Sequence, residues 1–131
     1  MKVLVDTCIW SMALRRQTVK NDDIIHKLKE LILYQQVEMI GAVRQELLSG
    51  LKSDKQYEKL KKYLRAFSDL LLKEQDYELA AKYYNQCRQK GIQGSNTDFL
   101  ICAVSSNYKL PIFTTDRDFI NYKRILELDL Y

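Results

Sequence analysis

Four carboxylates, Asp6, Glu46, Asp98 and Asp116, stand where their type and neighbours could do chemistry. Ionised carboxylates gathered in one crevice repel one another and need protons or cations to balance them. Hard divalent cations take oxygen ligands, and Mg²⁺ binds through a few carboxylates completed by water and phosphate oxygens. Such a set suits Mg²⁺ or Mn²⁺. It does not suit zinc, which would want Cys or His at spacings that this chain lacks. A centre of that kind can activate a water and stabilise the charge that develops on a phosphodiester during hydrolysis. Taken singly, each acid is as readily a solvated surface residue or a helix-dipole partner. Only convergence gives the four a common role.

The elements that would position them can be read along the chain. Residues 2–5 predict a buried strand that ends at Asp6, and residues 7–14 a short helix directly after it. Asn21, Asp22 and Asp23 mark the start of a helix carrying Ile24, Ile25, Leu28, Leu31 and Ile32 at helical spacing. Residues 37–40 predict a second strand, and residues 42–49 a helix closed by Gly50. Residues 53–67 form an amphipathic helical pattern with Tyr57, Leu60, Leu64 and Phe67 on its apolar stripe. Residues 70–72 fit a short strand. Asp76 is a candidate cap for a helix with Tyr77, Ala80, Ala81, Tyr84 and Cys87 inward, ended by Gly91. Gly94, Ser95 and Asn96 read as a turn, and Thr97 as the cap of a helix with Leu100, Ile101 and Val104 inward. Residues 111–114 and 125–130 predict the last strands.

Strands alternating with helices predict an α/β fold with a mostly parallel central sheet of about five strands and helices on both faces. Ligands bind such sheets in the crevice beyond the carboxyl ends of the strands. Asp6 and Asp116 lie just past two strand ends, Asp98 lies in the first turn of a later helix, and Glu46 lies in the helix after the second strand.

A length of 131 residues fits one domain, residues 1–131. Hydrophobic residues make up 47% and charged residues 29%, with one Pro and four Gly, which leaves little room for low-complexity linkers. The three cysteines, Cys8, Cys87 and Cys102, are odd in number and far apart, so a disulfide framework is not indicated and a reducing, cytoplasmic setting is expected. No run approaches the length of a membrane span. The net charge of +4 permits a polyanionic partner without requiring one.

Secondary features have bland readings beside functional ones. Thr7 and Thr115 flank two of the acids and could orient a bound water or phosphate oxygen, or simply cap strand ends. Arg15 and Arg16, with Lys20, are candidate contacts to a phosphate backbone. Lys52, Lys55, Lys59 and Lys62 read more simply as a solvated helix face. Trp10 is expected in the core or at a dimer contact. His26 is the only histidine, so a histidine-pair mechanism through a ribose hydroxyl has no support.

The segments Val5-Asp6-Thr7, Arg44-Gln45-Glu46-Leu47, Thr97-Asp98-Phe99-Leu100-Ile101 and Thr114-Thr115-Asp116-Arg117-Asp118-Phe119 resemble, in order, the four acidic motifs of the PIN-domain family, in particular of VapC-type toxins of bacterial toxin–antitoxin pairs. The resemblance spans essentially the whole chain. It implies a three-layer α/β/α fold and a metal-dependent endoribonuclease, the toxin of a type II pair. Such an enzyme hydrolyses single-stranded RNA with a metal-activated water. Mg²⁺ or Mn²⁺ is the implied cofactor. A homodimer and a small VapB-like antitoxin covering the crevice are the implied partners. Asp6, Glu46, Asp98 and Asp116 match the catalytic and metal-ligand positions, and Asp118 matches a position that is acidic in some members and could assist. Cys8 and Cys102 depart from the residues common there without removing a carboxylate.

A PIN-like RNA-binding regulatory module with weak or no catalysis is the competing reading. A receiver-like switch or a phosphatase with D-x-D after the first strand fits less well, because Asp6 is followed by Thr7 and Cys8. A P-loop or dinucleotide site is excluded by the absence of both glycine motifs.

Overall fold

Val3, Leu4 and Val5 are apolar in succession and all three are buried, as befits the middle strand of a parallel sheet covered on both faces. They form β1 (Val3–Val5) in the computed structural model, which describes residues 1–14 and 22–131. β2 (Val37–Glu38) and β3 (Ile112–Phe113) pair with it in parallel, one on each side, giving the order β2-β1-β3. Val3 lies opposite Val37, and Val5 lies opposite Phe113. The strand order therefore reverses at β1, which opens a crevice at its carboxyl end.

The sheet has three strands among the described residues, not the five or so that the alternating pattern predicts. At the two remaining places the chain meets the sheet through single residues. Asp69 bridges Met39 beyond β2, and Leu130 bridges Ile112 beyond β3, both in parallel. The reason is visible at each edge. Arg44 donates to the carbonyls of Leu64 and Phe67 and to Asp69 Oδ1, which holds residues 64–69 to the helix that carries Arg44 and leaves Leu70 N to reach Met39 O, at 2.8 Å. At the other edge the last helix runs to Ile125. Leu126 and Leu128 are buried while Glu127 and Asp129 are exposed, so the strand-like alternation survives without a ladder.

The helices are α1 (Thr7–Leu14), α2 (Asp22–Leu33), α3 (Gly41–Leu48), α4 (Asp54–Leu64), α5 (Glu74–Gln89), α6 (Asn96–Tyr108) and α7 (Asp118–Ile125). They pack as two groups: α1 against α2 and α3 with α3 on α4, and α5 against α6 and α7. α6 is buried continuously from Phe99 to Ser105, so it forms the core against which β3 is laid.

Three helix starts differ from their predicted positions, each for a capping reason. Ser53 stands outside α4, its hydroxyl accepting from Gln56 N at 3.1 Å. Ser95, not Thr97, caps α6 by accepting from Asp98 N at 3.1 Å. Asp76 lies inside α5, where its carboxylate accepts from the N–H of Lys73, the residue that precedes the helix, at 2.8 Å. Gly50 and Gly91 have φ of 81° and 77°, the left-handed conformation that ends a helix. Tyr77, expected inward, points out and is 57% exposed.

Candidate metal centre

Asp6 follows β1 directly. Its backbone N–H donates to Phe113 O at 2.9 Å, which continues the β1–β3 ladder one residue further. Its carbonyl accepts from Ile9 N at 3.1 Å, so the same residue ends a strand and starts α1. The side chain is buried, at 5% exposure. Oδ1 accepts from Thr7 N at 2.7 Å, and Oδ2 accepts from Thr114 Oγ1 at 2.7 Å and from Cys8 Sγ at 3.4 Å. Donors on both oxygens fix the rotamer of the side chain.

The chain leaving β3 is held by its own side chains. Thr114 Oγ1 accepts from Asp116 N at 3.0 Å, and Asp116 Oδ1 accepts from Asp118 N at 2.9 Å. Two successive side-chain turns thus lead into α7 and set the directions of Asp116 and Asp118. Asp98 enters from the first turn of α6, half-buried, with Oδ2 accepting from Tyr122 Oη at 2.7 Å.

Carboxylate oxygens of Asp98, Asp116 and Asp118 all lie within 4.8 Å of one another. Burial pushes the Asp98 carboxyl above its ordinary value, the Tyr122 hydrogen bond opposes this, and the charges of Asp6 and Asp116 push it up further. Burial and the bond to Asp98 likewise hold the Tyr122 phenol protonated far above its usual range. Burial, then the Asp98 charge, raise the Cys102 thiol, so it remains a neutral core group. Among the described residues, no Lys or Arg forms an ion pair with Asp6, Asp98, Asp116 or Asp118. Among the described residues, the negative charge of the cluster has no counter-charge in contact. An all-oxygen, acidic donor set of this kind fits Mg²⁺ or Mn²⁺ and not a softer metal.

The site residues expected from sequence are not equal in the structure. Asp98 and Asp116 come together, and Asp118, expected only as an auxiliary, joins them at the same distance. Asp6 acts on Asp98 through its charge and is tied to the cluster through Thr114. Glu46 lies exposed on α3 and is not among the grouped oxygens. Thr7 Oγ1 is buried without a hydrogen-bond partner among the described residues. Thr115 is exposed, with its hydroxyl 3.5 Å from Cys8 Sγ. Arg15 and Arg16 lie outside the described residues. Trp10 is fully buried against Phe67, ring centroids 5.0 Å apart, which places it in the core. His26 is a surface residue of α2 beside Glu30.

Sequence reasoning missed two residues that order the site. Thr114 was legible in principle, since a hydroxyl two residues before an acid is a side-chain turn signal. Tyr122 carried no signal until α7 was packed under α6.

Among the described residues, no helix is long and apolar enough to cross a membrane. A family model described as the PIN domain matches residues 3–125. No curated protein matches the chain. Solved structures share its fold. FitAcB from Neisseria gonorrhoeae has a TM-score of 0.78 at 22% identity, over 98% of this chain and 96% of that one. VapBC2 from Rickettsia felis, bound to a DNA fragment from its promoter, has a TM-score of 0.77 at 21% identity, over 100% and 98%. VapBC-1 from nontypeable Haemophilus influenzae has a TM-score of 0.74 at 16% identity, over 100% and 97%.

Proposed function

We propose that this chain, which belongs to the PIN-domain family, is a Mg²⁺- or Mn²⁺-dependent endoribonuclease and the toxin of a type II toxin–antitoxin pair. The observation that carries the reading is the meeting of Asp98, Asp116 and Asp118 within 4.8 Å beside the buried carboxylate of Asp6. Asp6, Asp98 and Asp116 are the proposed catalytic ligand set, with Asp118 and Thr7 as auxiliaries. Glu46 is the fourth ligand by family resemblance, Thr115 is a further auxiliary, and Arg15 and Arg16 are proposed contacts to the RNA.

A bound divalent ion would supply an activated water and a counter-charge for the phosphoryl oxygens. The chain's own part is positional. Thr114 and the Thr7 N–H hold the carboxylate of Asp6 in a fixed direction. Tyr122 holds Asp98, and the Asp118 N–H holds Asp116. A phosphodiester entering the cluster would meet fixed acceptors that need little reorganisation. Single-stranded RNA as substrate, a homodimer of one-domain chains and a cytoplasmic site of action follow from the family resemblance. So does a VapB-like antitoxin lying over the crevice. The similarity in fold to structures of VapBC and FitAB complexes supports that partner.

The test is cleavage of single-stranded RNA by the purified chain with Mg²⁺ or Mn²⁺, with and without EDTA, beside Asp6→Asn and Asp98→Asn. Cleavage that needs the metal and is lost in both variants is expected. Cleavage surviving chelation and both substitutions would falsify the assignment. RNA binding without cleavage or metal binding would favour an RNA-binding regulatory module.

A further inference from the structure

Asp98 is held by a residue that no local sequence spacing relates to it. Tyr122 lies on α7, and its side chain is fully buried. Its ring centroid is 4.9 Å from that of Phe99 and 5.1 Å from that of Phe119. Packing on both sides leaves the ring little freedom, so the place of its hydroxyl is set by the core. That hydroxyl donates to Asp98 Oδ2 at 2.7 Å. A buried phenol needs an acceptor, and a backbone carbonyl would serve. Here the acceptor is a carboxylate of the acidic cluster.

Gly94 shows that the fold makes room for this contact. A methyl group at that position would overlap the Tyr122 hydroxyl, and would lie 2.8 Å from ring carbon Cζ and 2.9 Å from Phe99 Cε2. Its φ lies outside the left-handed region, so the backbone does not demand glycine there. Clearance demands it.

We infer that Tyr122 is a positioning residue for Asp98. By engaging Oδ2 it fixes the side chain of Asp98 in the orientation that brings it to Asp116 and Asp118, and Gly94 provides the space in which it does so. This inference rests on the metal-centre reading above. Partners that orient a metal ligand in this way change affinity by about 10- to 100-fold when removed.

The experiment uses the full chain with Mn²⁺ alone as probe. Binding is followed by the loss of the free-ion electron paramagnetic resonance signal, and folding by thermal melting without metal. Tyr122→Phe keeps the ring and removes only the hydroxyl. It is expected to melt as a folded protein and to bind Mn²⁺ about 10- to 100-fold more weakly. Gly94→Ala, which displaces the phenol instead of shortening it, is expected to weaken binding in the same direction. A purely structural tyrosine would lower the melting temperature and leave Mn²⁺ affinity unchanged. That result in a folded Tyr122→Phe chain overturns the inference. Failure of both variants to fold overturns it too, because the phenol would then serve the core. Wild type and Asp98→Asn separate the two levels. If wild type binds Mn²⁺ and Asp98→Asn does not, the metal-centre reading stands whatever Tyr122 does. If wild type binds none, both fall.

Discussion

Thr114 donates its hydroxyl hydrogen to Asp6 Oδ2 at 2.7 Å, joining the residue after β3 to the residue after β1. The same oxygen accepts from Asp116 N at 3.0 Å. One hydroxyl therefore sets the relation between two of the acids. Thr114→Val should destabilise the fold by about 1.5–3 kcal/mol at neutral pH, the range for a hydrogen bond to a charged group. Thr114→Ser should lose much less, since it keeps the hydroxyl. Urea denaturation of both variants checks this, and a larger loss in Thr114→Ser than in Thr114→Val would show that the methyl group matters and not the bond.

Asp98→Asn should separate stability from function. Asp98 has a raised carboxyl, so the folded state favours its protonated form. A raised acid contributes stability at low pH that is lost as pH rises through its folded value. Metal-free Asp98→Asn should therefore melt at or above wild type at neutral pH, with the difference shrinking in acid. Added Mn²⁺ should stabilise wild type by about 2.7 kcal/mol at a hundredfold excess over Kd, and the variant far less. Thermal melts with and without Mn²⁺ at two pH values measure both effects.

Asp76 should behave in the opposite sense. Burial would raise its carboxyl, but hydrogen bonds from Lys73 N, Asn107 and Tyr108 outweigh burial and hold it below its ordinary value of 3.8. A depressed acid contributes stability that is present above the unfolded value and lost as pH falls through the folded one. Wild type should thus weaken steadily below about pH 4 from this group. Asp76→Ala should cost about 1.5–3 kcal/mol at pH 7 and less in acid. Urea midpoints across that range test it, and a variant penalty that is flat with pH would contradict it.

Arg44 ties α3 to the end of α4. Its Nε donates to Asp69 Oδ1 at 2.9 Å, and its other nitrogens donate to the carbonyls of Leu64 and Phe67. A lysine cannot reproduce a planar fork with three acceptors. Arg44→Lys should cost about 1–3 kcal/mol, mainly from carbonyls left without a donor. Amide hydrogen exchange should rise first at Leu70, whose N–H bonds to Met39 at the sheet edge. Protection unchanged at Leu70 would show that the edge does not depend on Arg44.

The α/β class and the first helix were legible because their signals are local. β1 is an unbroken apolar run, and α1 occupies Thr7–Leu14 as its pattern predicts. The strand count was not legible. The residues of the two outer lanes have strand-like composition, but Arg44 and the length of α7 decide how many of them reach a neighbour. Tyr77 shows the same limit: helical spacing puts it on the apolar stripe, but packing leaves it exposed.

By itself the sequence determined which acids could share a centre, because strand ends and a first helical turn are local properties. It also determined the donor chemistry, since carboxylates without His or paired Cys select hard cations. Only the tertiary structure decided their ranks. Asp118 joins Asp98 and Asp116 because a side-chain turn after β3 carries it there, and Glu46 stays outside that group. Tyr122 reaches Asp98 because α7 packs against Phe99 of α6. These relations join residues distant in sequence, and hydrophobic packing creates them, so no spacing along the chain could encode them visibly.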